Sequence, residues 1–173
     1  SASTSYDEAT ATNIAKFNIY AGSLPVTKFL HHWPKPLATE TRNWITNNVT
    51  TGIVSKFDLN VTASIDRNNF RKFTFLNSSG VLDFHNLETH FFRPVPAVKR
   101  MSGNINFIDN WFNINVSSGV IDEVILDDSN MTIRDSDVKV NLVAQGPLKS
   151  IRKILENDAF KAQESIIAIP SKI

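Results

Sequence analysis

A chain of 173 residues, 42% hydrophobic and 20% charged, is long enough for one domain with a real core and excludes a disordered tail. A net charge of +1 argues against a phosphate-reading surface, because nucleic-acid binders carry a strong basic excess. The absence of cysteine excludes disulfides and thiolate metal sites, and no run of 18 apolar residues is present to span a membrane as a helix.

Residues 1–10 are small and polar and are expected to fray. Residues 13–20 alternate, with Ile14 opposed to Phe17 and Ile19, and predict a short strand that Gly22, Ser23 and Pro25 break. Ser23 or Thr27 is placed to cap a short helix holding Val26, Phe29 and Leu30, which ends before Pro34. His31 and His32 close that helix. Adjacent side chains diverge on a helix, so the pair is a poor metal site and reads as cations near a C-terminus. Residues 36–49 predict a second helix, with Thr39 as cap and Arg42, Trp44, Ile45 and Val49 spaced for one face. Trp44 reads as a buried structural anchor in preference to a ligand platform. Gly52 stops the helix.

Residues 52–65 carry the clearest pattern in the chain. Ile53, Ser55, Phe57, Leu59, Val61, Ala63 and Ile65 alternate with Val54, Lys56, Asp58, Asn60, Thr62 and Ser64. Successive strand side chains point to opposite faces, so this is a strand of a sheet wet on one side only, about 40 Å long.

The theme then repeats. Residues 66–69 form a polar turn, and residues 70–77 a strand with Phe73 and Phe75 on one face. Ser78-Ser79-Gly80 is expected to turn the chain into residues 81–86, where Leu82 and Phe84 share a face. Residues 87–100 are irregular, with Pro94 and Pro96. Met101, Gly103, Ile105 and Phe107 mark the next strand, Asp109-Asn110 a tight turn, and Phe112, Ile114 and Val116 the return strand. Turns are expected at Ser118-Gly119 and Asp127-Asp128, with strands over 120–126 and 131–134. Val138, Val140, Leu142 and Ala144 share a face, and Gly146-Pro147 opens a helix with Leu148, Ile151, Ile154 and Leu155 on one stripe. The fold class is therefore mainly β: a wide, curled, antiparallel up-and-down meander of about eight or nine strands with short helices at its ends.

Nothing in the residues argues for an enzyme. Asp83, His85, Glu88 and His90 form the densest cluster, but on an unbroken strand the two pairs fall on opposite faces, so it reads as surface before it reads as a metal site. The carboxylates from Asp109 to Asp137 fall at expected turns, and Lys149, Arg152 and Lys153 form the solvated side of a short helix. No nucleophile elbow, phosphate loop, zinc or calcium motif occurs, and no cofactor is implied. Asparagine is abundant, at 18 residues, and sequons occur at Asn48, Asn60, Asn77, Asn115 and Asn130. With serine and threonine also frequent, the sequons read as compositional.

The order of motifs carries a resemblance. Pro36-Leu37-Ala38, Thr41-Arg42-Asn43-Trp44-Ile45, Asn48 and Gly52-Ile53-Val54 lead into an alternating strand. Leu82-Asp83-Phe84, Pro94 and Pro96, residues 101–107, residues 110–114, Ser118-Gly119, Ile133 and Gly146-Pro147-Leu148 follow in order. This series, over residues 24–155, resembles the YhdP-like branch of the AsmA-like bacterial envelope proteins, which are similar in architecture to bridge-like lipid-transfer proteins. The resemblance implies a periplasmic protein anchored in the inner membrane, crossing the periplasm as a long curled sheet, with an apolar groove for phospholipid acyl chains. On that basis residues 1–173 are expected to be one fragment of a larger protein. Its helical segment is 26–49, its contacts to the inner and outer membranes lie outside the fragment, and it needs neither catalytic residues nor nucleic acid. The groove candidates are the apolar phases of the expected strands: Phe57, Leu59, Val61, Phe73, Phe75, Leu82, Phe84, Ile105, Phe107, Phe112, Ile114 and Val116. The same pattern also suits a structural or interaction β-sandwich of a surface or envelope protein, since a second layer buries an apolar face equally well.

Overall fold

A computed structural model describes residues 1–7, 12–33, 39–66, 69–91, 94–134, 137–156 and 166–167. The start of the second expected helix at 36–38, the capping side chain of Thr39 and the middle of the expected turn at 66–69 lie outside the described residues and side chains.

The protein is mainly β, and its described residues form a single wide antiparallel sheet that does not close, with three short helices. The strands are β1 (Ala2–Asp7), β2 (Thr12–Ala21), β3 (Leu24–Pro25), β4 (Val49–Asp66), β5 (Asn69–Thr89), β6 (Val98–Ile108), β7 (Trp111–Ile121), β8 (Val124–Arg134), β9 (Asp137–Leu142), β10 (Ala144–Gln145) and β11 (Ile166–Ile167). Nine lie side by side in the order β1-β2-β4-β5-β6-β7-β8-β9-β11, with β3 on β4 and β10 on β8. The pairings are antiparallel except for the two-residue contact of β11 with β9. Helix α1 (Val26–His32) follows β3, α2 (Thr39–Asn48) runs into β4, and α3 (Leu148–Leu155) follows β10.

Three features differ from the sequence reading. The N-terminal stretch expected to fray forms β1, with Ala2 opposite Phe17 and Asp7 opposite Thr12. Ser78-Ser79-Gly80 is not a turn: β5 runs through it for 21 residues, because its partner β4 is an 18-residue strand. Gly80 is needed there for closeness, since a Cβ would meet the Asp58 carbonyl oxygen at 2.4 Å and the Phe107 ring at 2.7 Å. Ser118-Gly119 and Asp127-Asp128 are also inside strands. In β7 the buried positions step from Val116 to Gly119, and in β8 from Leu126 to Ser129, so the apolar phase slips by one residue in both.

These slips belong to one line across the sheet. Gly52 of β4 has φ +133, and Asn86 of β5, Arg100 of β6 and Asp128 of β8 have φ of 53, 51 and 41. Register shifts flank Gly52, Asn86 and Arg100. A bulge of this kind bends a strand and strengthens its twist, and five neighbouring strands bend along one line. A Cβ at Gly119 would lie 3.0 Å from Val98, 3.7 Å from Met101 and 3.8 Å from Leu126, which places these apolar groups together at the bend. A second slip, at Ser55, brings Val54 onto the face of Phe57 and turns Ile53 outward, so Val54 is buried and Ile53 is exposed.

The asparagines have a structural use on the opposite, polar face. Asn115 Nδ2 donates to Asn104 Oδ1 at 2.9 Å, and Asn130 Nδ2 donates to Asn115 Oδ1 at 2.8 Å and Asn113 Oδ1 at 2.5 Å. The three strands β6, β7 and β8 are thus tied by a ladder of side-chain amides, a cross-strand pairing that stabilises a sheet. Three sequon asparagines spend their side chains in this way: Asn115 and Asn130 in the ladder and Asn60 in a bond from Asn18.

Candidate functional site

The inner face of the sheet is apolar because each strand contributes its alternate residues to it. Register places Ala21 beside Phe57, Phe57 beside Leu82, Leu82 beside Ile105, Ile105 beside Ile114 and Ile114 beside Met131. This row crosses six neighbouring strands, β2, β4, β5, β6, β7 and β8. Five interstrand spacings make it about 24 Å long, measured across the strands.

Over this row lies an open cavity of about 780 Å³. Seven of the twelve groove candidates line it: Phe57, Leu59, Leu82, Ile105, Phe107, Phe112 and Ile114. Gly80 opposite Phe107 leaves room for that ring, and Phe107 stacks on Phe112 with centroids 5.8 Å apart. Val116 instead lines a smaller adjoining cleft of about 50 Å³. Val61 and Phe84 are buried and do not line the cavity. Phe73 and Phe75 lie on the same face, opposite Ile65 and Ala63, but beyond the cavity, and are 50% and 39% exposed.

The helices cover part of the cavity. On α1, Val26, Phe29 and Leu30 are buried, as their spacing predicts, and the Phe29 ring meets Phe57 edge-on at 4.8 Å. Trp33 follows, 5.4 Å from Phe29. On α2 the residue packed against the core is Ile45, not Trp44. Trp44 is 39% exposed, leans on Phe91 at 5.6 Å and lines the cavity, which corrects its reading as a buried anchor. Residues three or four apart share a helix face. Ile45, with Val49 four residues on, holds the core side, so Trp44 falls beside it at the cavity wall. Trp44→Ala is accordingly expected to cost about 1–2 kcal/mol in urea unfolding, below the roughly 3–5 kcal/mol of an emptied aromatic core site.

Sequence reasoning missed several walls of the cavity. Ile19, Ala21, Leu24, Met131 and Ile133 line it, as do Phe29, Trp33, Ile45 and Phe91. The alternation that marked the central strands extends to Ile19 and Ile133, so those two were open to the same argument. Helical and loop residues folding back over a sheet leave no periodic signal of their partner. Polar groups are few: His32 at the end of α1, Ser78 of β5, and Asp109 and Asn110 at the β6–β7 turn. Asp109 has φ 50, and its carboxylate accepts the Ser78 backbone N–H at 2.6 Å while its own N–H donates to the Ser78 carbonyl at 2.7 Å. The turn expected at Asp109-Asn110 is thus present and pinned to β5.

The Asp83, His85, Glu88 and His90 cluster does not converge. Asp83 and His85 border a recess on the polar face, and no group of three or more potential metal-binding residues is assembled among the described residues. No described helix is long and apolar enough to cross a membrane. On α3, Ile154 is buried, while Leu148, expected on the same stripe, is 81% exposed, because Pro147 starts the helix at the edge of β10 and only its later turns reach the sheet. No protein-family model matches the sequence, and no curated protein or solved structure matches it significantly.

Proposed function

We propose that the chain is the groove-forming segment of a membrane-anchored periplasmic bridge protein, related to the YhdP-like branch of the AsmA-like family, that conducts phospholipid between the inner and outer membranes. The observation that carries this reading is the apolar cavity lying across six strands of a one-layer sheet. Its volume of about 780 Å³ falls within the roughly 300–1,000 Å³ of ligand-sized cavities. Its length of about 24 Å exceeds the roughly 15 Å that one acyl chain spans in half of a bilayer core. Each methylene taken from water gains about 0.8 kcal/mol, before the cost of immobilising the chain. The few polar groups at the rim favour retention by the acyl chain over recognition of one headgroup. In this role the chain acts without catalysis or cofactor, and the contacts to both membranes lie elsewhere in the full protein.

The alternative is a structural or interaction β-sandwich. A sandwich covers its apolar face with a second sheet, whereas the described strands all belong to one sheet and leave the cavity open, which favours the groove. The test is native mass spectrometry with lipid extraction of the purified chain. Bound phospholipid of mixed headgroup, exchangeable for a fluorescent phospholipid, is the expected result. A lipid-free chain that takes up no fluorescent phospholipid overturns the reading.

A further inference from the structure

The polar face of the sheet, on the side away from the cavity, has a recess of its own. It encloses about 480 Å³ across β5, β6, β7 and β8 and is bordered by Asp83, His85, Asn104, Asn115, Asp128 and Asn130. Register sets Asp83 opposite Asn104, Asn104 opposite Asn115 and Asn115 opposite Asn130, so one row of short polar side chains crosses four strands over about 14 Å. The amide ladder fixes this row: Asn104 Oδ1 accepts from Asn106 and Asn115 at 3.2 and 2.9 Å, and Asn115 Oδ1 accepts from Asn130 at 2.8 Å. The ladder leaves hydrogen-bonding capacity unused. The Asn104 amide nitrogen donates to no described residue, and the carboxylates of Asp83 and Asp128 accept from none. The recess therefore presents donors and acceptors side by side, held in place before any ligand arrives.

The lining selects the occupant. Two carboxylates, with His85 the only described lining residue able to carry a positive charge, disfavour phosphate and other anions. Gly103 and Val116 are the only apolar residues of the described lining, and Val116 is 8% exposed, which leaves no surface for an acyl chain or an apolar peptide side chain. Each of the four strands already has a strand on both sides, which leaves no free edge for a peptide backbone. What fits is an uncharged ligand whose groups both donate and accept, as hydroxyls do. Repeated along a chain that spans four strands, such hydroxyls belong to an oligosaccharide. The arrangement suits binding and not cleavage: Asp83 and Asp128 stand three strands apart, about 14 Å, against the roughly 6.5–9.5 Å between the acid and base of an inverting glycosidase.

We propose that the recess over Asn104, Asn115 and Asn130 binds a neutral oligosaccharide. It lies on the opposite face of the sheet from the acyl-chain cavity and does not depend on it. The test is NMR titration of the isotope-labelled chain with maltopentaose, cellopentaose and N-acetylchitopentaose at millimolar concentration, following the side-chain amide signals of the three asparagines. Spermidine and tetraglycine serve as the cationic and peptide comparisons. The expected result is a saturable shift of these amide signals with at least one saccharide. Asp128→Gly removes a carboxylate at φ 41, which glycine adopts without strain, and Asn104→Ala removes the free amide. Each is expected to weaken saccharide binding at least about fivefold while preserving the circular dichroism spectrum. Saccharide binding is read directly at the recess, so it stands or falls apart from phospholipid uptake. Amide signals that none of the three saccharides moves overturn the proposal, as does binding that neither variant weakens. Shifts caused by spermidine or tetraglycine and by no saccharide also overturn it and assign the recess to a cation or a peptide.

Discussion

Phe84→Ala is expected to lower the unfolding free energy by about 3–5 kcal/mol, the cost of emptying an aromatic core site. Phe84 is fully buried, stands between Val54 and Gly103 in register, and lies just before the bulge at Asn86 where the sheet bends. Its ring lies over Gly103, where an added Cβ would meet the ring at 3.0 Å and the Asn115 carbonyl oxygen at 1.9 Å. The backbone of β7 therefore approaches β6 closely beneath the ring, and the surrounding strands have little freedom to collapse into the space left by its removal. Phe75, assigned to the same apolar face by its alternation, is 39% exposed, and Phe75→Ala is expected to cost about 1 kcal/mol or less. Urea unfolding of the two variants checks the contrast. Equal losses would mean that the bend is not where the core is concentrated.

That contrast also marks what the sequence conveyed and what it withheld. Alternation assigned Phe57, Leu59, Leu82, Ile105, Phe107, Phe112 and Ile114 to one face, and they meet on one face, because a period of two is a local property of extended backbone. It could not separate Phe75 from Phe84, since exposure depends on whether a neighbouring strand extends that far, and β6 stops at Ile108. It misread Ser118-Gly119 and Asp127-Asp128 for a different reason. A bulge and a hairpin turn both recruit small and polar residues and both interrupt the alternation, and at Asp128 the backbone lies in the left-handed region that turns also use. Only pairing beyond the irregularity tells them apart: Ser118 still faces Asp127, and Ile121 still faces Val124. The asparagine excess was visible as composition, but its ladder depends on the register of three strands, which composition does not contain. Trp44 was placed on the right helix and the wrong side of it, because Ile45 next to it is equally suited to the core.

Phe107→Asp and Leu59→Asp are expected to give opposite outcomes, and the pair tests the cavity directly. Both residues line it. Phe107 is half-buried, against Phe112 and over Gly80, so its side reaches the open space. A carboxylate there keeps water when the cavity is empty. The variant is expected to fold and to lose fluorescent phospholipid binding by at least about tenfold, because lipid entry would desolvate the charge. Leu59 is 1% exposed, between Ile19 and Gly80 on the floor of β4. A carboxylate there has no water to keep, and the variant is expected to lose several kcal/mol of stability. The measurement is thermal unfolding and lipid binding on the same samples. If Phe107→Asp unfolds as readily as Leu59→Asp, the space above Phe107 is dry and filled by protein, and the face is a core instead of a groove. If Phe107→Asp folds and binds phospholipid as well as the parent, lipid does not occupy this cavity. Loss of binding in a folded Phe107→Asp chain, beside an unfolded Leu59→Asp chain, is the result that an acyl-chain groove requires.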